Sequence, residues 1–245
     1  MSEIIGGLNP VMEALRARAG SFDRIYMNKG RMRPALKELF ETARSAGVRV
    51  DRVDRSRLDQ LFQGYGHQGV VARVGPYRYF SLDEVISRAS SPRALVLVLD
   101  GIQDPMNLGS LLRSAEAAGA AGVILPREKA APITTVAVKA SAGAAEHVAV
   151  ARVVNLARTI EALKKDGFWV LGADQNAQVS LYDQDLDLKL ALVIGSEGKG
   201  LRRLVREKCD GLVSIPLRGR VSSLNAAVAG ALAMFEHVRQ TQAGT

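Results

Sequence analysis

The stretch LVIGSEGKGL, residues 192–201, joins an apolar run to a glycine-rich corner and decides the fold of the chain. A short apolar run that ends at glycine is typical of a buried parallel strand rather than of a helix. Gly195, Gly198 and Gly200 allow the backbone to bend sharply and a ligand to approach the main chain. Because ligands of open α/β sheets bind beyond the carboxyl ends of the strands, this corner is a candidate binding site.

The sequence around this stretch alternates strand and helix candidates, which predicts an α/β domain with a parallel sheet over residues 93–245. Residues 75–92 contain Gly-Pro and Ser-Ser-Pro sequences and are interpreted as a linker. Strands are expected at residues 94–99, 122–125, 168–173, 190–194 and 212–215. Helices are expected at residues 108–118, 135–140, 156–165, 201–208 and 224–239.

Residues 1–74 are interpreted as a separate, small α/β unit that carries most of the positive charge. Residues 1–78 hold 14 Lys or Arg against 8 Asp or Glu, so +6 of the net charge of +8 lies there. The loop residues Lys29, Arg31 and Arg33 are candidate contacts for the phosphates of RNA, with a purely solvated loop as the alternative. His67 and Gln68 lie in a glycine-framed turn; a lone histidine is usually structural, but if exposed, these two side chains are candidate contacts for a nucleotide.

The composition of the 245 residues is that of a folded, basic protein. A hydrophobic content of 47% excludes a disordered chain, and the positive net charge favours a polyanionic partner, most simply a nucleic acid. The single cysteine, Cys209, excludes an intramolecular disulfide framework and a cysteine-based metal cluster. The first residues lack the pattern of a signal peptide, and no apolar stretch approaches the roughly 20 residues of a membrane span. We therefore expect a cytoplasmic protein that needs neither a membrane nor a metal.

A second motif, DPMNLGSLLRSAE at residues 104–116, follows the strand expected at residues 94–99. Asn107 is expected to cap a helix whose apolar positions share one face. Arg113 lies about 150° from the centre of that face, so it is predicted to point away from the core. Glu116, three residues on, is expected to pair with Arg113 and to fix its rotamer.

A third motif, IPLRGRVSSLN at residues 215–225, again combines a strand end, a glycine-containing loop and a helix start. Ser223 is expected to cap the final helix. That helix consists mostly of Ala, Val, Leu and Gly, with small residues on several faces. This composition indicates burial, either inside the domain or against a second subunit.

These three motifs resemble those of the SpoU family of RNA ribose 2′-O-methyltransferases and occur in the same order. The resemblance rests on Asn-Leu-Gly-x3-Arg at residues 107–113, Gly-Ser-Glu-Gly at residues 195–198 and Ile-Pro-Leu with Ser-Leu-Asn inside residues 215–225. It covers the whole second domain. The basic first domain, with Ile4-Ile5-Gly6 and the turn His67-Gln68-Gly69, is similar to that of RlmB-type enzymes. Those enzymes methylate a guanosine ribose in the peptidyl-transferase loop of 23S rRNA.

The resemblance implies a SPOUT fold, in which a deep trefoil knot threads the C-terminal helix through a loop. It implies that S-adenosylmethionine binds in the knot, at Gly195, Ile215 and Leu224 of this chain. The first domain would bind the RNA and be similar to ribosomal protein L30e. The family is typically homodimeric, and each active site draws on both subunits.

The resemblance also implies roles for individual residues. Arg113 matches the essential arginine of the family. Because an arginine stays protonated in proteins, we expect it to hold a phosphate and the developing alkoxide rather than to act as general base. Asn107, Glu197, Ser223 and Asn225 match the remaining motif positions and are expected to orient the substrate or support the loops. The identity of the proton acceptor stays open.

Other functions are compatible with parts of the sequence. A nucleotide-dependent oxidoreductase would need G-x-G-x-x-G after the first strand of the second domain, and residues 99–104 lack it. A non-enzymatic RNA-binding protein would need only the basic domain, but three complete motifs argue against it. Within the family, the target could be a tRNA or another rRNA nucleotide.

Overall fold

A computed structural model of the chain describes residues 2–30, 32–63 and 66–243, and the first unit is built on a small mixed sheet. Its strands are β1 (Glu3–Gly6), β2 (Phe22–Asn28), β3 (Val50–Val53) and β4 (Val70–Val74), and its helices are α1 (Leu8–Arg18), α2 (Pro34–Ser45) and α3 (Arg55–Leu61). In the sheet order β1-β4-β2-β3, β4 is antiparallel to both neighbours, whereas β3 is parallel to β2.

The second unit is built on a seven-stranded sheet in which every pair of strands is parallel. Its strands are β5 (Leu95–Asp100), β6 (Gly122–Pro126), β7 (Val150–Val153), β8 (Trp169–Ala173), β9 (Val179–Ser180), β10 (Leu190–Gly195) and β11 (Gly211–Ser214). Their order is β7-β6-β5-β10-β8-β11-β9. The carboxyl ends of all these strands therefore lie at one edge of the sheet.

Helices cover both faces of the second sheet, so its central strands are buried on both sides. The helices are α4 (Leu82–Arg88), α5 (Pro105–Ala117), α6 (Thr135–Ala140), α7 (Leu156–Lys165), α8 (Arg203–Lys208) and α9 (Ala226–Ala243). Side chains alternate between faces along a strand. In β5, Leu97 and Leu99 face the core with α5, α6 and α9, whereas Val96 and Val98 face the core with α4, α7 and α8.

The α/β fold with a parallel sheet that the sequence predicts is confirmed, and each strand and helix expected in the second unit is present, most of them with shifted ends. Strands β7 and β9, which lie at the two edges of the sheet, were not predicted from the sequence. Both strands are short, with four and two residues, so they carry little of the periodicity that identifies longer strands. Among the described residues, none of the helices combines the length and the apolar character that crossing a bilayer requires.

Residues 75–92, interpreted from sequence as a linker, pack against the second unit. Phe80 forms a parallel β-bridge with Ala151 of β7, and Val85 of α4 is fully buried against Gly122. Tyr77 donates its hydroxyl to the carbonyl of Ala145 at 2.8 Å. These contacts fix the end of the first unit relative to the second sheet.

The two units touch along α1, β1 and α6. The hydroxyl of Thr135, at the start of α6, donates to the carbonyl of Ile4 in β1 at 2.9 Å. The ring of His147 contacts the carboxylate of Glu13 on α1 at 2.7 Å. Since α6 follows the carboxyl end of β6 by way of a loop, the first unit lies on the β6 side of the second one.

Candidate active site

Strand β10 ends at Gly195, and the following residues fold back over that end. The amide of Ser196 donates to the carbonyl of Gly200 at 3.2 Å, and the amide of Gly200 donates to the carbonyl of Ser196 at 2.9 Å. Gly200 has a φ of 62°, which favours glycine. A Cβ atom on Gly195 would overlap the backbone of Gly200. Position 195 therefore requires glycine, because the chain folds back over it and leaves no room for a side chain.

Asp100, the last residue of β5 and the register neighbour of Gly195, holds the far end of this turn. It is 1% exposed, and its carboxylate accepts bonds from the backbone N–H of Arg202 at 2.7 Å and from Nε of Arg202 at 2.5 Å. Residues 196–202 are thereby tied to β5. This pair was not predicted from the sequence, because contact between residues 102 positions apart leaves no local pattern.

A cavity of about 290 Å³ lies between this turn and the loop that follows β11. The three residues expected to hold a cofactor, Gly195, Ile215 and Leu224, all line it, as do Glu197 and Ser223. Asp174 and Arg206 line the cavity too and form an ion pair with 3.1 Å between Oδ2 and Nε. The remaining wall includes Gln175, Asn176, Leu181, Leu201, Val213 and Leu217. The cavity thus combines apolar walls with a polar side.

Asn107, Glu197 and Asn225 form a closed triangle of hydrogen bonds. Nδ2 of Asn107 donates to Oε1 of Glu197 at 2.9 Å, and Nδ2 of Asn225 donates to the same oxygen at 2.6 Å. Nδ2 of Asn225 also donates to Oδ1 of Asn107 at 2.9 Å. Each residue comes from a different motif, so the triangle joins the three motifs at one point beside the cavity.

The two helix caps differ from those expected. Asp104, rather than Asn107, caps α5, because its carboxylate accepts from the amides of Met106 and Asn107 at 3.0 and 3.3 Å. Asn225, rather than Ser223, caps α9, because Oδ1 of Asn225 accepts from the amides of residues 227 and 228. Capping by Asp104 leaves the side chain of Asn107 free for the triangle. Ser223 instead lines the cavity.

Arg113 is exposed on α5, as the sequence predicts, but the predicted ion pair with Glu116 does not form. In the part of the chain that the structure describes, the guanidinium has no ion-pair or hydrogen-bond partner. An exposed helix pair of this kind stabilises a protein by only about 0.2–0.5 kcal/mol net of the ordering of its side chains, so its absence costs little. Arg113 does not line the cavity either.

The expected RNA contacts of the loop after β2 lie at the surface. Lys29 and Arg33 are exposed, and Nζ of Lys29 lies 3.4 Å from Oδ2 of Asp54. Arg31 lies outside the described residues. Both described side chains can reach a phosphate without breaking a buried contact.

His67 is buried, which favours the structural alternative over a contact with a nucleotide. One ring nitrogen contacts Oδ1 of Asp59 at 3.0 Å, and the other accepts from the amide of Gly69. The ring is therefore held inside the turn that it stabilises. Gln68 is exposed, with a φ of 53°, and its Oε1 accepts from the amide of Leu8 at 2.9 Å.

The site contains amides, carboxylates and guanidinium groups. Among the described residues, no group of three or more His, Cys, Asp or Glu side chains is arranged to hold a metal ion. Burial raises the pKa of the Cys209 thiol to about 12, so this thiol stays protonated at neutral pH. The arrangement is suited to binding and orienting a ligand rather than to attack by a thiolate.

Two family models match the chain. Residues 94–235 match the model of the SpoU rRNA Methylase family, and residues 4–80 match a model described as RNA 2′-O ribose methyltransferase substrate binding. Together they cover most of both units.

Curated relatives and solved structures agree with these matches. The chain is 44% identical to the putative TrmH family tRNA/rRNA methyltransferase YacO of Bacillus subtilis, over 96% of this chain and 94% of YacO. It is 42% identical to the 23S rRNA (guanosine-2′-O-)-methyltransferase RlmB of Escherichia coli K12, over 98% of this chain and 99% of RlmB. The AdoMet complex of the SpoU methyltransferase AviRb from Streptomyces viridochromogenes superimposes with a TM-score of 0.83 and 28% identity, over 100% of this chain and 92% of that one.

Proposed function

The chain belongs to the SpoU rRNA methylase family, and on this basis we propose that it methylates the ribose 2′-oxygen of a guanosine in the peptidyl-transferase loop of 23S rRNA. S-adenosylmethionine is the methyl donor. The expectation of an RNA methyltransferase, rather than of a protein that only binds RNA, is confirmed by the family. The observation that carries the proposal is the triangle of Asn107, Glu197 and Asn225, which assembles the three motifs beside one cavity.

The residues of the cavity fit S-adenosylmethionine. Apolar side chains such as Leu181 and Val213 suit the faces of its adenine ring, and the main chain around Gly195, Ile215 and Leu224 offers hydrogen bonds to the ring edge and the ribose. The Asp174–Arg206 pair offers charges of both signs to the amino acid part. When bound, the cofactor supplies a methyl group that its sulfonium already activates.

The protein has to align a ribose 2′-hydroxyl with that methyl group and exclude other orientations. Asn107, Glu197 and Asn225 fix the motifs relative to one another, so the geometry is set before substrate arrives. Ser223 lines the same cavity and orients substrate. The guanidinium of Arg113 holds a phosphate together with the negative charge that develops on the 2′-oxygen.

Residues 1–74 hold the RNA and residues 93–245 carry out methyl transfer. This division is supported by the excess of positive charge in the first unit and by the family models matched at residues 4–80 and 94–235. Lys29, Arg33 and Gln68 are exposed and supply contacts to phosphates and nucleotides. Because ribosomal RNA is the substrate, the enzyme acts in the cytoplasm.

The enzyme works as a homodimer and its cofactor region closes a trefoil knot. The dimer is supported by α9, where Val228, Leu232 and Phe235 repeat at helical spacing and are 48%, 40% and 47% exposed. The knot is supported by the two loops that enclose the cavity and by the close packing of α9 on α5, where a Cβ on Gly230 would lie 2.5 Å from Leu111. Sedimentation of Phe235→Asp is expected to show monomers.

The proposal is tested by transfer of labelled methyl from S-adenosylmethionine to 23S rRNA from cells that lack this modification, followed by mapping of the modified ribose. Label at a single guanosine is the expected result. Arg113→Ala should lower kcat by at least about 100-fold, since charge stabilisation of this kind is lost, while cofactor affinity stays within about two-fold. Arg44→Ala, an exposed arginine on α2, is the matched control and should keep full activity.

A second candidate substrate is a tRNA, which the name of the relative YacO includes. Parallel reactions with bulk tRNA distinguish the two. Label on tRNA alone would keep the reaction and replace the substrate. No label on either RNA would contradict the proposed function.

A further inference from the structure

A second cationic surface lies in the loop between β6 and α6, residues 127–134. Four hydrogen bonds hold its backbone. The amides of Arg127 and Ala131 donate to the carbonyls of Val153 and Ile102, respectively. The amide of Ile133 donates to the hydroxyl of Tyr79, and the guanidinium of Arg152 donates to the carbonyl of Arg127. The guanidinium of Arg152 also lies over the ring of Tyr79, 5.2 Å from its centroid. These contacts fix the conformation of the loop.

The loop carries two positive side chains that point into solvent. Arg127 and Lys129 are exposed, and within the described residues neither side chain has an ion-pair or hydrogen-bond partner. Lys129 has a φ of 60°, an unfavourable backbone conformation for lysine. Many other cations of the chain, such as Arg202 and Arg206, are paired with carboxylates. A strained backbone that is fixed by hydrogen bonds and carries unpaired charges indicates that these charges bind another molecule.

The loop lies next to the turn that follows β10. Gly101, directly after β5, separates the two: the Cβ that it lacks would lie 3.8 Å from the carbonyl oxygen of Lys129 and 3.8 Å from Cβ of Ser196. The loops after β6, β5 and β10 therefore stand side by side, in the order of their strands. Lys129 is on the β6 side of the triangle that contains Glu197.

The direction from which RNA arrives follows from this order. The cavity for the cofactor occupies the ends of β10, β8 and β11, so a ribose that faces it has to come from the β5 and β6 side. The first unit, which holds the RNA, docks on that same side through the contact of Thr135 with Ile4. An RNA strand that runs from the first unit to the cavity thus passes over residues 127–134.

We propose that Arg127 and Lys129 hold phosphates of the RNA strand next to the target nucleotide and so position its ribose; this inference rests on the proposed function. Glu128, exposed between them, opposes this binding by repelling the strand. The loop sets RNA affinity and alignment, whereas the triangle and the cavity set cofactor binding. Arg127 and Lys129 are positioning residues.

The test uses the full-length chain with Arg127→Ala, Lys129→Ala, the double variant and Glu128→Gln. Lys165→Ala is the control, because Lys165 is an exposed lysine at the end of α7, which precedes β8 and therefore lies at the opposite edge of the sheet. Three quantities are measured: KM and kcat on a 23S rRNA fragment, the affinity for S-adenosylmethionine, and the salt dependence of RNA binding by fluorescence anisotropy.

The double variant should raise KM for RNA by about 10- to 100-fold and lower the slope of log Kd against log salt by about 1–2, one or two phosphate contacts being lost. Cofactor affinity and melting temperature should not change. Glu128→Gln should shift KM the other way, an opposite sign that a merely structural loop does not produce. Wild-type KM and salt slope in the double variant would overturn the inference. If the wild type binds RNA but does not methylate it, the proposed function fails, and the salt slopes still decide the role of the loop.

Discussion

Arg18 on α1 and Glu146, 128 residues later, form a two-point ion pair across the contact between the two units. Nε of Arg18 lies 2.7 Å from Oε2 of Glu146, and Nη2 lies 2.9 Å from Oε1. The side chain of Glu146 is only 3% exposed, and Nη1 of Arg18 donates to the carbonyl of Gly75. The pair therefore fixes the first unit, the start of the 75–92 segment and the second unit to one another.

Arg18→Ala should destabilise the protein, because it leaves the charge of Glu146 buried without a partner. Removing one member of a buried pair costs about 3–5 kcal/mol, and the partial exposure of Arg18 places this case toward the lower end. Urea unfolding measures the loss. Arg16→Ala on the same helix is the control, since Arg16 pairs at the surface and its loss should cost less than about 1 kcal/mol. Equal effects of the two substitutions would show that the Arg18–Glu146 pair does not hold the units together.

Gly195→Ala should weaken S-adenosylmethionine binding, because the added methyl group overlaps the backbone of Gly200 and displaces the turn that lines the cavity. A displacement that costs about 1.4 kcal/mol already lowers affinity tenfold, so at least a tenfold rise in Kd is expected by calorimetry. Gly219→Ala, in the loop of the third motif, is the control because a Cβ there meets no atom within 4 Å. An unchanged Kd in Gly195→Ala would mean that the turn can shift without affecting the cavity.

The parallel sheet could be predicted from the sequence because it depends on local patterns, whereas the cofactor-binding residues were expected only from the resemblance to a family. Apolar runs that end at glycine mark β10, and strand ends of a parallel sheet share one edge. Contacts between distant residues were not predictable in this way. Asp100 ends β5 and Arg202 follows the stretch 192–201, and nothing in either segment indicates that the two residues form a pair.

Local signals also failed where two residues could serve the same purpose. Asp104 and Asn107 are both good helix caps, and only the turn of the chain after β5 decides that Asp104 caps α5. His67 shows the same ambiguity, because a histidine in a glycine-framed turn can either face solvent or brace the turn. Its contacts with Asp59 and Gly69 show that it braces the turn.

Asn225→Asp should lower kcat while leaving the fold intact. Aspartate is as good a helix cap as asparagine, so the bonds to the amides of α9 are kept. The new carboxylate cannot donate to Oε1 of Glu197, which lies 2.6 Å away in the native protein, and it repels that group. We expect a loss in kcat of about 100-fold, equivalent to about 2.7 kcal/mol, with a melting temperature close to that of the wild type. Full activity would show that the triangle is not needed for alignment.

His237 on α9 should make the protein less stable in mild acid. Its ring is 3% exposed, Nε2 faces the carbonyl of Leu188 at 3.3 Å, and Nδ1 has no partner among the described residues. Burial lowers the pKa of His237, so the folded protein takes up this proton at a lower pH than the unfolded chain does. In the unfolded chain its pKa is about 6.5, and below that pH the unfolded state binds a proton that the folded state does not. Stability is therefore unaffected by this group above about pH 6.5 and falls as the pH drops toward the lowered pKa of the folded protein.

The measurement is the free energy of unfolding in urea at pH 7.5 and 5.5. His237→Gln keeps a donor for the carbonyl of Leu188 but does not titrate, so its stability should change less between the two pH values than that of the wild type. The difference cannot exceed about 1.4 kcal/mol for each pH unit below 6.5, because one proton is involved. The comparison uses the change with pH within each protein, so a uniform loss of stability in the variant does not affect it. Parallel pH dependence in the two proteins would mean that His237 takes up its proton in the folded state as readily as in the unfolded chain.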